Sequence, residues 1–348
     1  MTSSQIDDSE FRALRELSAA LGADPLRTQG AGGNTSIKRD GVMWIKASGT
    51  WLVDALAQDI FTPVRLDPLR RAIADGDPRA AAAVDFVDTQ RNAGGLRPSI
   101  ETSVHAIIPS TVVVHIHCVN TIALAVRHDG ESLVRERLRM DADVALAFAP
   151  YRKPGLPLAH AIAERRTRNT NVFVLANHGL VVAGETVVEV ADRIARVCEA
   201  LSAPARSAPQ VDAERLASIV DGTDYRLPHN PAVHVVALDP KSLAIARLGS
   251  LYPDHVVFLG PGLVEGSVGG GRLSARAEVR RPPMMLALPG LGVILHRSTS
   301  KNAEAMALCL ADVAARIPDD APIRVLTDAE EQELMNWEAE AYRQTMGR

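Results

Sequence analysis

The stretch Val-Val-Val-His-Ile-His-Cys-Val-Asn at 112–120 sets His115 and His117 one residue apart behind a run of valines, in a chain that holds ten histidines. β-Branched residues favour a strand, and alternate residues of a strand share a face, so both imidazoles can reach one ion. A catalytic zinc takes three protein ligands and keeps one position open. Two imidazoles alone therefore suit either part of a metal site or a pair of hydrogen-bonded core histidines. His178, in Leu-Ala-Asn-His-Gly at 175–179, offers a third imidazole from a tight turn after an apolar strand. Such a turn can project a side chain over a neighbouring strand, although Asn-His-Gly is also an ordinary hairpin turn. Glu101, in Arg-Pro-Ser-Ile-Glu at 97–101, stands at the start of a predicted helix. There it suits the helix dipole, and beside a metal it could act as ligand and then as base.

These side chains need a scaffold, and the pattern around them supplies one. Phe11, Leu14, Leu17 and Leu21 recur at helical spacing over 9–21. Residues 28–52 read as loop, hairpin and loop, with Asp40-Gly41 as the hairpin turn. Helices are expected over 79–92, over 100–108 before Pro109, and over 158–168. Strands are expected at 111–117, 171–176 and 180–184, and Thr186 with Glu189 has capping-box spacing for a helix to about Leu201. Residues 202–210, Ser-Ala-Pro-Ala-Arg-Ser-Ala-Pro-Gln, make the best linker, which divides the chain into 1–205 and 211–348. Beyond it the apolar runs 232–238, 255–260, 283–288 and 292–296 read as strands that alternate with helical segments such as 300–317, so this part is α/β as well. A charged amphipathic helix is expected over 327–344.

Composition narrows the class. The 348 residues are 47% hydrophobic and 23% charged, with a net charge of −4. Such a chain can bury a core, and its scattered basic residues give no footprint for nucleic acid. The N-terminus is acidic and polar rather than signal-like. The apolar stretch at 282–295 is broken by Pro289 and two glycines and is too short to span a bilayer. A cytoplasmic protein with no membrane contact is expected. Cys118, Cys198 and Cys309 are distant and odd in number, which fits packed thiols in a reducing compartment. Gly-Ala-Gly-Gly-Asn-Thr-Ser at 30–36 and Lys-Ala-Ser-Gly-Thr at 46–50 resemble anion cradles, because backbone N–H groups beside glycine can approach oxyanions closely. Gly-Ser-Val-Gly-Gly-Gly at 266–271 lacks the strand–loop–helix context of a nucleotide site and reads as a surface loop. His105, His128, His160, His229, His234, His255 and His296 read as surface or packing residues.

In order along 30–184, Gly-Gly-Asn-Thr-Ser, Ala-Ser-Gly, Arg-Pro-Ser-Ile-Glu, His-Ile-His and Ala-Asn-His-Gly-Leu-Val-Val-Ala-Gly together resemble the class II aldolase and adducin family. The wording around 45–52 and 97–109 is most similar to the aldolase part of long rhamnulose-phosphate-aldolase-like proteins. The resemblance implies a three-layer α/β/α domain with a mixed, mainly antiparallel sheet, followed here by a smaller C-terminal α/β domain. It implies zinc, with manganese or cobalt as substitutes, held by His115, His117 and His178, and Glu101 as resting fourth ligand and acid/base. Asn34, Ser48, Gly49 and Ser99 match residues that hold a substrate phosphate. Tyr151 matches a tyrosine that such enzymes donate from a neighbouring subunit as a proton source. The implied reaction is retro-aldol cleavage of a ketose or ketose phosphate through a metal-stabilised enediolate, in a cytoplasmic homotetramer.

Two departures bear on the substrate. Ile100 stands where short phosphate-binding members carry a second serine, and Lys46-Ala47 stands where Thr-Pro is usual. A lost hydroxyl weakens a phosphate site while Lys46 adds charge, so an unphosphorylated acidic substrate such as a keto acid is a further expectation. The family also holds sugar-phosphate 4-epimerases and decarboxylases, and adducin-like scaffolds that keep the fold without the metal ligands. The three histidines and Glu101 argue for the enzymes. The long relatives carry a dehydrogenase half, but no dinucleotide fingerprint occurs here and no redox activity is expected.

Overall fold

The computed structural model describes residues 8–269, 272–275 and 282–336. Its centre is a seven-stranded sheet made of β1 (Asn34–Arg39), β2 (Val42–Lys46), β3 (Phe61–Arg65), β4 (Val112–Ile116), β5 (Leu146–Ala149), β6 (Val172–Leu175) and β7 (Gly179–Gly184). The spatial order is β3-β2-β1-β4-β7-β6-β5, and every pairing is antiparallel except β5 with β6. Asp40 and Gly41 both take positive φ, 49° and 75°, as a two-residue turn between twisted strands requires.

The strand alternation sorts side chains between two helical layers. Val112, Val114 and Ile116 face a core shared with α1 (Asp8–Ala23), α4 (Val119–Ala125), α5 (Gly130–Leu138) and α7 (Val187–Ala200). Val113 faces the other way, into a core with α3 (Thr102–Ile107) and α6 (Leu156–Arg165), beside which α2 (Leu66–Ala74) covers β2 and β3. His115 follows the odd-numbered face. The fold is thus the expected three-layer α/β/α arrangement with a mixed, mainly antiparallel sheet. Thr186 caps α7 by accepting from Glu189 N–H at 3.2 Å, while the Glu189 carboxylate takes Glu185 N–H at 2.8 Å.

The C-terminal region adds α8 (Ala213–Val220), α9 (Val235–Leu238), α10 (Pro240–Ala246), α11 (Pro253–Leu259), α12 (Lys301–Ala314) and α13 (Asp328–Met335). Its strands are β8 (Tyr225–Arg226), β9 (Gly266–Gly269), β10 (Arg272–Ala275), β11 (Met285–Leu288) and β12 (Gly292–His296). They form a three-stranded sheet, β11-β12-β8, and a β9–β10 pair. One apolar cluster joins this region to the first, because Val119, Ile122, Val126 and Tyr151 pack with Tyr252, Val256, Met306 and Leu310. The segment 202–212 has no regular structure, yet it is anchored. Arg206 donates to Asp239 Oδ2 at 2.8 Å and to the carbonyls of Ala314 and Ile317 at the end of α12.

Several expectations need correction. Residues 79–92 form two short 3-10 turns, Pro78–Ala81 and Val84–Phe86, rather than a helix, with Ala83 at φ 53° breaking the chain between them. The runs 232–238 and 255–260 are helical rather than extended. Pro231 and Pro253 open them from positions where a missing N–H costs nothing, and a short apolar run has no period to separate helix from strand. Residues 266–269 and 272–275 are paired strands rather than a loop, and Gly270-Gly271 lies outside the described residues. The expected tail helix is present as α13, and 337–344 lies outside the described residues. Among the described residues no helix is long and apolar enough to cross a membrane.

Candidate metal centre

Register brings the chemistry together. In the β1–β4 ladder Asn34 stands directly opposite His115, and across β4 the partner of His115 is Val181. Opposed residues share a face, so Asn34 and His115 project side by side. His117 continues past the end of β4, and His178 lies in the turn that joins β6 to β7. That turn needs a left-handed residue, and Asn177 supplies it at φ 52°. The Asn177 amide donates to the carbonyls of Leu251 and Arg324 at 2.9 and 2.8 Å, and its oxygen accepts from the Arg324 guanidinium at 3.0 Å. Glu101 sits at the start of α3, beside Ser99, whose hydroxyl accepts from Glu101 N–H at 3.3 Å.

The three imidazoles form a near-equilateral triangle, with ring centres 4.9, 4.9 and 5.2 Å apart. His117 Nε2 lies 3.1 Å from His115 Nε2, and Glu101 reaches His115 Nε2 at 3.4 Å and His178 Nε2 at 3.5 Å. Four ligands placed tetrahedrally about 2.0–2.1 Å from one ion stand roughly 3.3–3.4 Å apart. The His115–His117 pair and the two Glu101 contacts, which use its two different oxygens, lie near that figure.

Tautomers strengthen the fit. His115 Nδ1 faces Leu180 O at 3.1 Å, and a carbonyl only accepts, so the proton is on Nδ1 and the Nε2 lone pair points into the centre. His117 Nδ1 lies 3.2 Å from the Asp254 carboxylate, which gives the same result. Two Nε2 lone pairs at 3.1 Å beside a carboxylate repel one another unless a proton or a metal cation lies between them. The donor set could therefore hold a divalent metal ion, and His115, His117 and His178 form such a cluster, all buried. His178 Nδ1 and Glu101 Oε1 are buried without hydrogen-bond partners.

Electrostatics agrees. Burial pushes the Glu101 carboxyl up, but the imidazoles of His115, His178 and His117 and the Asn34 amide more than reverse this, holding it down at about 2. Burial lowers His178 to about 3 and lowers His115 as well. At neutral pH the centre thus presents the Glu101 carboxylate with neutral His115 and His178, the protonation states that bind metal.

The remaining candidates stand in several elements. Asn34 Nδ2 donates to Glu101 Oε2 at 2.8 Å and to Ser99 Oγ at 3.2 Å, leaving its own oxygen without a partner. Lys46 is buried and donates to Ala31 O, within the glycine loop, at 2.9 Å. Ser48 and Gly49 form the turn after β2, with Gly49 at φ 80°. The glycine loop serves close packing: a Cβ on Gly32 would stand 2.8 Å from His117 Nδ1. Tyr151 follows β5 and is 7% exposed, its ring 5.0 Å from the Arg324 guanidinium. Burial, with Glu330, raises its hydroxyl above the usual tyrosine range.

Sequence reasoning missed Asp254 and Asn302. Asn302, in the first turn of α12, accepts from Ala31 N–H at 2.8 Å. Neither carries a local signal, since each is brought to the centre by packing between distant segments. Of the other histidines, His105, His234 and His255 are core residues, and His105 bonds Ser36 Oγ at 2.7 Å.

Comparison with known proteins gives the family. Residues 13–203, more than half of the chain, match the Class II Aldolase and Adducin N-terminal domain, and the chain belongs to that family. Over 178 residues it is 30% identical to the Bacillus subtilis (strain 168) protein named uncharacterized oxidoreductase YuxG, covering 48% of this chain and 25% of that protein. The chain thus spans about a quarter of that relative's length. Among solved structures, the N-terminal class II aldolase domain of a conserved Thermoplasma acidophilum protein is 26% identical, with a TM-score of 0.48 over 58% of this chain and 95% of that one. The L-fuculose-1-phosphate aldolase of Thermus thermophilus is 19% identical, with a TM-score of 0.37 over 56% and 93%.

Proposed function

We propose that this chain is a zinc-dependent aldehyde-lyase that cleaves a ketose or ketose phosphate by retro-aldol chemistry. The observation that carries the reading is the convergence of three buried imidazoles, His115, His117 and His178, beside the Glu101 carboxylate. Three imidazoles favour zinc, with manganese or cobalt as substitutes. When bound, the ion would act as a Lewis acid on the carbonyl oxygen and stabilise the charge that develops as the carbon–carbon bond breaks.

The chain's own residues would do the rest. Glu101 would leave its resting contacts as substrate enters, take the proton of the hydroxyl that becomes the aldehyde oxygen and carry it to the carbon freed by cleavage. Asn34 holds that carboxylate in place, and Ser99 accepts from the Glu101 backbone N–H. Ser48, Gly49, Ser99, Asn34 and Lys46 would bind the far end of the substrate, a phosphate or carboxylate. Tyr151 keeps its proton at neutral pH, which suits it to protonate the aldehyde oxygen in the direction of condensation. Its burial within its own chain means that service to a second subunit needs movement of residues around 151. Membership of the class II aldolase family supports a small sugar or sugar phosphate as substrate. In this reading residues 1–205 are the catalytic unit, 211–348 a smaller unit packed on it, and the working form is a cytoplasmic homotetramer.

The test joins metal content to products. Purified chain should carry about one zinc, absent from a His115→Ala/His117→Ala variant, and should release an aldehyde from one member of a panel of ketose phosphates and keto acids. An epimer or carbon dioxide as product would move the assignment to a sister reaction. Failure of the wild-type chain to load with excess zinc would end the proposal.

A further inference from the structure

Helix α11 belongs to the C-terminal region, yet its second residue reaches the histidine centre. Asp254 Oδ2 lies 3.2 Å from His117 Nδ1, and both side chains are buried. The other nitrogen of that ring, Nε2, faces His115 Nε2 at 3.1 Å. Asp254 therefore stands on the far side of the imidazole from the centre, where it can act on His117 and cannot itself join the four converging ligand atoms.

The geometry points to Asp254 as a positioning residue of the metal centre: it accepts the His117 Nδ1 proton, fixes the ring's tautomer and orientation, and strengthens Nε2 as a donor to a divalent cation. The inference rests on the metal reading above. A metal-ligating histidine commonly gives its second N–H to a carboxylate or a carbonyl, which fixes the tautomer and raises basicity. The centre uses both devices. His115 gives its Nδ1 proton to the Leu180 carbonyl within the same sheet, whereas His117 has left the strand and finds its acceptor in α11.

The surroundings hold the pair in place. Pro253 starts α11 at the position a proline suits, and His255 donates to Gly262 O at 2.8 Å. Val256 and Phe258 belong to the apolar cluster shared by the two regions. Gln29 Nε2 donates to the His117 backbone carbonyl at 3.2 Å, and a Cβ on Gly32 would stand 2.8 Å from Nδ1. His117 thus has little freedom to turn away from Asp254.

The experiment uses the full chain with Asp254→Asn and Asp254→Ala. Cobalt(II) and zinc(II) affinities are measured by competition with a chromophoric chelator, and the His117 tautomer of the metal-free chain is read by long-range 1H–15N NMR. Wild type should hold His117 in the Nδ1–H form. Asp254→Ala should bind about 10–100-fold more weakly and show both tautomers. Asp254→Asn keeps the shape and one acceptor oxygen, so it should fall between, and it carries the test if the alanine variant does not fold. A purely structural aspartate would leave the tautomer unchanged. Affinities within about twofold of wild type, against the loss expected on removing such a carboxylate, with His117 still in the Nδ1–H form, would overturn the inference and leave the metal reading intact. A wild-type chain that binds neither ion would overturn both.

Discussion

Asn34 and Glu101 stand 67 residues apart in the chain, and in the fold the Asn34 amide donates to Glu101 Oε2 at 2.8 Å. The bond joins a sheet residue opposite His115 to the carboxylate that faces His115 and His178. Removing the donor with Asn34→Ala leaves a buried carboxylate short of a partner, at a cost of about 1–3 kcal/mol. The urea midpoint of the metal-free chain should fall accordingly. Asn34→Asp sets a second carboxylate against the first and should fall further. Midpoints unchanged in both variants would show that the bond contributes nothing.

Gly32 offers a steric probe of the same centre. An alanine methyl would lie 2.8 Å from His117 Nδ1 and 2.9 Å from Gln29 O, so the ring or the loop must move. Overpacking of this kind costs about 1–3 kcal/mol, so Gly32→Ala should weaken cobalt(II) binding about tenfold or more. Gly94→Ala, where the new methyl meets Leu96 Cγ at 3.7 Å, should bind as wild type does. Equal binding by the two variants would remove Gly32 from the account.

Acid should loosen the junction between the two regions. The Asp239 carboxyl is pushed up by burial, but Arg206 and Ser242 reverse this and hold it at about 2, below the ordinary 3.8. A depressed folded-state value gives stability that is complete above about pH 4 and disappears as the pH falls toward about 2. After solvent screening the contribution is on the order of 1–2 kcal/mol. Arg206→Ala should lower the urea midpoint at neutral pH and show a shallower loss between about pH 4 and about pH 2.5. Parallel pH profiles would mean that Arg206 is not the cause of the shift.

The three cysteines test burial against reactivity. Cys118, Cys198 and Cys309 are all buried, and the Cys118 and Cys198 sulfurs are 3.7 Å apart. A thiol reagent should modify none of them in the folded chain within minutes and all three in denaturant. Fast reaction of one equivalent under native conditions would reveal an opening around β4 and α7.

The candidate ligands were legible in sequence because strand alternation and an Asn-His-Gly turn are local patterns that fix side-chain direction. His115 in β4, His178 in its turn and Glu101 at its helix start lie where those patterns place them, whereas His117 falls just past the end of β4. The parts that were not legible are non-local. Asp254 sits in Tyr-Pro-Asp-His-Val-Val-Phe-Leu, whose valines favour a strand, while Pro253 and packing in the shared core make it helical. Likewise 79–92 is rich in alanine, but Pro78 and the left-handed Ala83 leave only short turns. The segment 202–210 is read as a linker from composition, and the anchoring of Arg206 within it depends on partners beyond residue 238.

Asn177 gives the shared packing a further meaning. It holds the turn that carries His178, and its side chain is satisfied by Leu251 and Arg324, both from the C-terminal region. An ion taken up by the histidine centre would therefore be expected to act on the docking of that region, and linkage of this kind works equally in both directions. An ion that tightens the histidines also tightens the hold on residues 251 and 324, and a change that loosens that hold returns as weaker ligation. Residues 13–203 are in this sense no interchangeable cassette: a different C-terminal partner would have to reproduce the same grip on a single asparagine.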